Sequence, residues 1–175
     1  MQPLSDAEKS AIRDVYAHVA RSRTFSPREA QKKMIGAVAQ AAANDAIGVI
    51  EAPPGVGKSL GYLIPATTLS MIRGHKTVVS TATVALQQQL QTSELPSIVA
   101  AVEATCGLNP AISLSRGRGR FVCHLKVEFA LRQGDLFADS ANKEAAEHVE
   151  GALKQGWAGD IDSAPSRVEI GRAHV

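Results

Sequence analysis

The sequence contains few cysteines, few aromatic residues and no long apolar runs. Its 175 residues include only Cys106 and Cys123, and 4% of the residues are aromatic. Two cysteines in unlike contexts do not form the disulfide framework that small exported domains use. No apolar run reaches the roughly 20 residues of a membrane-spanning helix, and the polar start of the chain lacks the apolar stretch of a signal peptide. These absences predict a cytoplasmic protein with reduced thiols.

The chain also has little excess charge. A formal net charge of +2 does not by itself indicate a nucleic-acid ligand, although Arg116, Arg118 and Arg120 form a local basic cluster with glycines between them. The low aromatic content provides no platform on which bases could stack. Because 45% of the residues are hydrophobic, the chain can bury a core. Composition therefore permits DNA or RNA as a ligand without requiring it.

The spacing of apolar residues predicts several helices. Ser5 and Glu8 have the spacing of a capping box, and the apolar stripe after them predicts a first helix to about Ala20. A second helix is expected to start with Pro27 at its first position and to end near Asn44. Further helices are predicted over 60–73, with a kink or break at Pro65 and a stop at Gly74, and over 84–91, 125–131 and 142–154.

Three short runs rich in β-branched residues predict strands, at 47–50, 76–81 and 111–114. Strands that alternate with helices are typical of the α/β class. The sequence therefore predicts a parallel sheet with flanking helices, which ends at a boundary near Ser115.

A glycine-rich segment joins the first predicted strand to a predicted helix, and it fits the phosphate-binding P-loop pattern with Ala in place of the usual first Gly. Its residues are Ala52, Pro53, Pro54, Gly55, Val56, Gly57, Lys58 and Ser59. Glycines at 55 and 57 let backbone N–H groups face phosphates, which the positive end of the following helix also attracts. Lys58 would hold the outer phosphates, and the Ser59 hydroxyl would bind Mg²⁺. The alternative is a glycine-rich turn without a ligand.

Residues 51–59, followed by 60–65 and 78–83, resemble the DinG-type helicases of the XPD-like iron–sulfur group. The resemblance implies a P-loop NTPase (RecA-like) sheet, here truncated, followed by the start of a helical iron–sulfur domain. It also implies ATP and Mg²⁺ as cofactors, single-stranded DNA as the partner, and movement from 5′ to 3′. A small P-loop kinase and a non-catalytic nucleotide-binding module are the alternatives.

The same resemblance implies roles for residues outside the loop. Gln31 matches a position that contacts the adenine of ATP, and four residues after the second predicted strand match a motif that lies against single-stranded DNA: Ser80, Thr81, Thr83 and Gln87. Hydroxyl and amide groups suit such contacts, because they bind phosphates without reading the base sequence. Without the resemblance, this segment reads as an ordinary strand end followed by a helix. Arg118 and Arg120 of the basic loop are further candidates for nucleic-acid contact.

The segment before Cys123 resembles the family's entry into its iron–sulfur domain, which makes Cys123 the expected first of four thiolates on a 4Fe–4S cluster. The chain contains no matching second cysteine, because Cys106 lies before the motif. His124 stands where the family pattern has proline. We therefore expect a cluster only in a full-length protein.

The resemblance divides the chain into four expected parts. They are an N-terminal helical segment (1–25), the first part of ATP-binding domain 1 (26–115), the start of the iron–sulfur insertion (116–168) and a tail (169–175). The last residues, from Ile170, match the translation of a sequencing adapter, so native sequence is expected to end near Val168. The family's acidic box, second motor domain and arginine finger are absent from the sequence. The sequence thus predicts an N-terminal fragment of a helicase, itself inactive.

Overall fold

The structure is a computed structural model that describes residues 3–132 and 140–166. The chain divides into two compact units, Met1–Ser113 and Leu114–Val175. Unit 1 contains five helices among its described residues: α1 (Asp6–Ser22), α2 (Glu29–Ala43), α3 (Lys58–Arg73), α4 (Val84–Gln89) and α5 (Leu95–Cys106). Unit 2 contains α6 (His124–Arg132) and α7 (Ser140–Lys154).

Helix α1 starts where the capping box predicts. The Ser5 hydroxyl accepts the Glu8 N–H at 3.2 Å, and the Glu8 carboxylate accepts the Ser5 N–H at 2.8 Å. Arg73, in the last turn of α3, donates to both oxygens of the same carboxylate, at 2.6 and 3.0 Å. Glu8, which caps the start of α1, therefore also links α1 to the end of α3.

The core of unit 1 lies where α1, α3 and α5 pack together. Val15, Val19, Leu63, Ile64 and Ile98 are fully buried there. Full burial of such side chains contributes roughly 1.5–3 kcal/mol each, so these contacts carry much of the stability of the unit.

The other predicted helices form with small shifts. Helix α2 begins at Glu29, so Pro27 lies two residues before the helix and is not its first residue. Helix α3 is not divided at Pro65, and it ends as predicted at Gly74, whose φ of 68° closes the last turn. Helix α4 begins at Val84 and continues through a π-helical turn, Leu90–Glu94, into α5.

The predicted α/β fold with a parallel sheet is wrong for the described residues, which form helices and contain no strand. The three expected strands, 47–50, 76–81 and 111–114, are non-helical segments that do not pair with one another. Their apolar side chains stay in solvent, with Ile47, Val49 and Val78 at least 90% exposed. A β-branched run favours an extended backbone, but a sheet also requires neighbouring strands that accept and donate its hydrogen bonds.

Unit 2 has a small core of its own, in which Val127 of α6 packs with Ala146 and Val149 of α7, and Trp157 covers this cluster. An isolated antiparallel bridge joins Phe121 to Asp160. The expected end of native sequence near Val168 and the tail 169–175 lie outside the described residues. Among the residues that the structure describes, no helix is both long and apolar enough to cross a lipid bilayer.

Candidate functional site

The glycine-rich segment forms a loop that leads directly into α3. Gly55 and Gly57 have φ angles of 82° and 84°, a left-handed conformation that glycine adopts without strain. Because α3 starts at Lys58, the N–H groups of Lys58, Ser59 and Leu60 have no acceptor within the helix. The helix dipole adds partial positive charge at the same place. The loop therefore has the backbone geometry that suits an anion.

The two side chains with expected catalytic roles stand at this helix start. Lys58 is exposed, and its Nζ donates to the carbonyl oxygen of Ala52 at 2.7 Å, so the ammonium group lies across the loop. Ser59 is half-buried. Burial raises the pKa of the neighbouring Tyr62 hydroxyl, and a hydrogen bond with the Ser59 side chain offsets part of that shift.

The rest of the predicted loop is mostly open. Pro53, Pro54 and Gly55 are exposed and Ala52 is half-buried, whereas Val56 is buried and anchors the turn. A shallow depression of about 800 Å³ lies elsewhere in unit 1, against α1 and the ends of α3 and α5. None of the loop residues borders it.

Gln31, the expected adenine contact, is buried against the loop. Its side-chain Nε2 donates to the Gly57 carbonyl at 2.9 Å, and its Oε1 accepts from the Tyr16 hydroxyl at 2.8 Å. Arg28 also reaches the loop, donating from Nη1 to the Gly55 carbonyl oxygen. Sequence reasoning gave neither Tyr16 nor Arg28 a role in the loop. The signal it missed is that a buried tyrosine hydroxyl requires a polar partner.

The residues expected to face single-stranded DNA belong to the segment that starts α4. The Thr83 hydroxyl accepts the Leu86 N–H at 3.2 Å and caps the helix, and the Thr81 hydroxyl donates to the Thr83 carbonyl at 3.3 Å. Ser80 is exposed, and Gln87 is half-buried in the first turns of α4. Thr83 therefore has a structural role, whatever it binds.

In unit 2 the basic loop is partly neutralised by two aspartates. Arg116 donates to Asp160 at 2.5 Å and to Asp162 at 2.9 Å, and Arg120 pairs with Asp162. Arg118 is exposed on the 3₁₀ turn between them. Of the two arginines expected to contact nucleic acid, Arg120 is thus already paired, and sequence reasoning had not identified Asp162 as its partner.

Cys123 is exposed immediately before α6. The described parts of the chain contain no group of three or more Cys, His, Asp or Glu side chains placed to hold a metal ion. A 4Fe–4S cluster needs four thiolates, and the sequence has two cysteines. The residues present in this chain do not fit the cluster.

Comparison with known proteins gives relatives of one kind. The chain is 31% identical over 132 residues to ATP-dependent helicase DinG of Mycobacterium tuberculosis, which covers 75% of this chain and 20% of that protein. It is 34% identical over 111 residues to 3′-5′ exonuclease DinG of Bacillus subtilis, covering 63% of this chain and 12% of that protein. It is 38% identical over 112 residues to ATP-dependent DNA helicase YoaA of Haemophilus influenzae, covering 64% of this chain and 16% of that protein.

No protein-family model matches the chain. The chain spans between 12% and 20% of the length of these three relatives. At 31–38% identity over most of its own length, the chain belongs by sequence to the DinG-type helicase family and corresponds to a segment of its longer members.

Proposed function

We propose that this chain carries the phosphate-binding loop of an ATP-dependent helicase that moves from 5′ to 3′ on single-stranded DNA. The observation that carries the proposal is the loop 52–59: two glycines with positive φ, a helix start whose first N–H groups have no acceptor within the helix, and Lys58 held across the loop. The names of two of the relatives, which are ATP-dependent helicases, support the same activity.

The roles of the loop residues follow from their positions. The N–H groups at the start of α3 would bind the phosphate oxygens. The Lys58 ammonium group would leave the Ala52 carbonyl and bind the outer phosphates. The Ser59 hydroxyl suits Mg²⁺, which prefers oxygen ligands. When bound, the ion would neutralise phosphate charge. ATP binding and release would then be coupled to movement along DNA through parts of the protein beyond this segment.

The DNA contacts form a second part of the proposal. Ser80, Thr81, Thr83 and Gln87 would bind the DNA backbone from the segment that starts α4, where hydroxyls and amides can position phosphates without reading sequence. Arg118, exposed on the basic loop, would add a phosphate contact. Arg120 would contribute only if its pair with Asp162 opens.

The first test is nucleotide binding by the 175-residue chain, measured by calorimetry or NMR titration with ATP and Mg²⁺. We expect weak but saturable binding that Lys58→Ala reduces at least tenfold, because a charge-assisted contact to phosphate is lost. Lys76→Ala, a change of the same charge at an exposed position outside the loop, is the matched control. Equal binding by the Lys58→Ala variant and the unchanged chain would refute the role of the loop.

The helicase activity needs the full-length gene product that carries this segment. We expect its ATP turnover to rise when single-stranded DNA is added, and a duplex with a 5′ single-stranded tail to be unwound. The labelled DNA should also be checked for shortening, since one relative is named an exonuclease. Turnover that DNA does not stimulate would contradict the helicase proposal.

A further inference from the structure

A chain of hydrogen bonds runs from α1 through α2 to the loop. The Tyr16 hydroxyl accepts the Arg28 N–H at 3.3 Å and donates to Gln31 Oε1 at 2.8 Å, and Gln31 Nε2 donates to the Gly57 carbonyl at 2.9 Å. Tyr16 and Gln31 are only 7% and 3% exposed, so the bond between their side chains is shielded from water. The directions are fixed at both ends, because a backbone N–H can only donate and a carbonyl can only accept.

The last bond of this chain orients the peptide that begins α3. The Gly57 carbonyl accepts both Gln31 Nε2 and the Gly61 N–H, the latter at 3.1 Å. In a planar trans peptide the C=O and the following N–H point in opposite directions. The carbonyl that faces Gln31 therefore turns the Lys58 N–H away from Gln31. That N–H is one of the groups proposed to bind phosphate.

The space around Gly57 is shaped by the same amide. A Cβ atom at position 57 would overlap the Gln31 side-chain nitrogen, whereas at Gly55, which has nearly the same φ, nothing lies within 4 Å of a Cβ. Gln31 thus fills the position that any side chain at residue 57 would need. The amide can donate a hydrogen bond to the loop only when the Gln31 nitrogen faces it.

The hydroxyl of Tyr16 holds the other end of the Gln31 amide. It accepts a hydrogen bond from the Arg28 N–H and donates its own hydrogen to Gln31 Oε1, while the Gly57 carbonyl, which can only accept, keeps Nε2 on the loop side. Without the hydroxyl, Oε1 loses its buried partner and the amide is held at the Gly57 carbonyl alone, so its position on the loop is less fixed. We propose that Tyr16 is a positioning residue, which holds Gln31 as a brace on Gly57 and so orients the loop for phosphate binding.

This inference rests on the proposed function and changes the role expected of Gln31. A primary amide has two N–H groups and two acceptor sites, and the brace uses one of each. A residue that only reads adenine affects ATP binding alone, whereas a brace also affects ligands that have phosphates and no base.

The experiment compares Tyr16→Phe and Gln31→Met with the unchanged 175-residue chain. One readout needs no ligand: the amide exchange rate of Gly61, whose N–H donates to the braced carbonyl, measured by NMR against amides in the middle of α3. The other is the affinity for Mg²⁺–tripolyphosphate and for Mg²⁺–ATP. Thr68→Val is the control, because it removes a fully buried hydroxyl of α3 that has no hydrogen-bond partner.

We expect each brace variant to speed Gly61 exchange on the order of tenfold, the effect of losing one buried hydrogen bond. Both phosphate ligands should bind more weakly, by the same factor of about three to ten, while Thr68→Val changes none of these values. Unchanged exchange and unchanged tripolyphosphate affinity in both variants would overturn the inference, as would a loss confined to ATP. If the unchanged chain binds neither ligand, the nucleotide proposal fails, and the exchange rates still decide whether the brace exists.

Discussion

Replacing Glu8 with Gln tests how much the link between α1 and α3 stabilises unit 1. The change keeps the capping box, in which Gln can replace Glu, and it removes the charge that Arg73 binds. The Arg73 guanidinium, with help from the Ser5 N–H and hydroxyl, lowers the pKa of Glu8 from 4.5 to about 2, against the opposing effect of burial. Relative to the protonated form, the charged carboxylate of Glu8 is therefore more stable in the folded state than in the unfolded chain.

The size of the effect follows from linkage. A pKa lowered from 4.5 to about 2 corresponds to at most roughly 3 kcal/mol of stability. The Arg73 side chain is 16% exposed, so water screens part of the interaction and about 2 kcal/mol is the expected loss at pH 7. Because the folded pKa is the lower one, the contribution is complete above pH 4.5 and disappears as the pH falls towards 2. The difference between Glu8→Gln and the unchanged chain should disappear over the same range.

Urea denaturation followed by far-UV circular dichroism at several pH values between 2 and 7 measures this difference. Trp157, the single tryptophan, lies in unit 2, so its fluorescence reports on that unit separately. Glu29→Gln is the matched control, since Glu29 pairs with Lys32 in solvent and this substitution should change stability by less than about 0.5 kcal/mol. A loss below 0.5 kcal/mol at pH 7, or one equally large at pH 2.5, would refute the reasoning.

Two further predictions concern the loops of the two units. Gly55→Ala and Gly57→Ala each place a side chain on a left-handed backbone, which costs about 1–2 kcal/mol, but only Gly57→Ala also displaces Gln31. Urea titration should therefore show Gly57→Ala to be less stable than Gly55→Ala by a further ~1–3 kcal/mol. Equal losses of stability would contradict the close fit at Gly57. Asp162→Asn should release Arg120 and so tighten the binding of a labelled single-stranded oligonucleotide, measured by fluorescence anisotropy. A plot of the logarithm of the binding constant against the logarithm of the salt concentration should become steeper by about 0.7. Glu128→Gln is the control, because it makes the same charge change at an exposed pair on α6 and should not alter the slope. If Asp162→Asn does not alter the slope either, Arg120 is not a nucleic-acid contact.

Helix ends could be predicted from the sequence because their signals act over a few residues. Ser5 and Glu8 bind each other across one turn, and Gly74 ends α3 through its own backbone conformation. Neither effect depends on the rest of the fold. Helix α2 began two residues later than expected because Pro27 permits a helix start without enforcing one.

The predicted strands failed because a strand is not a local structure. The run 47–50 has the side chains of a buried strand, but its backbone finds no partner among the described residues. The polar partners in the two loops were missed for the same reason. Tyr16 meets Gln31 only because α1 and α2 come together, and Arg116 meets Asp160 across 44 positions of sequence. Residue types and spacing identify a loop such as 52–59, but they do not say which side chains hold it.

The pairing inside unit 2 has a topological consequence. The Phe121–Asp160 bridge, the Val122 N–H to Gly159 carbonyl bond at 2.9 Å and the pairs of Arg116 join the two ends of the described unit side by side. A domain whose entry and exit lie next to each other can be inserted into a surface loop of a host domain while the host keeps its own fold. In the described part of unit 2, residues 116–122 and 159–162 lie next to each other in this way, held by two arginines and two aspartates.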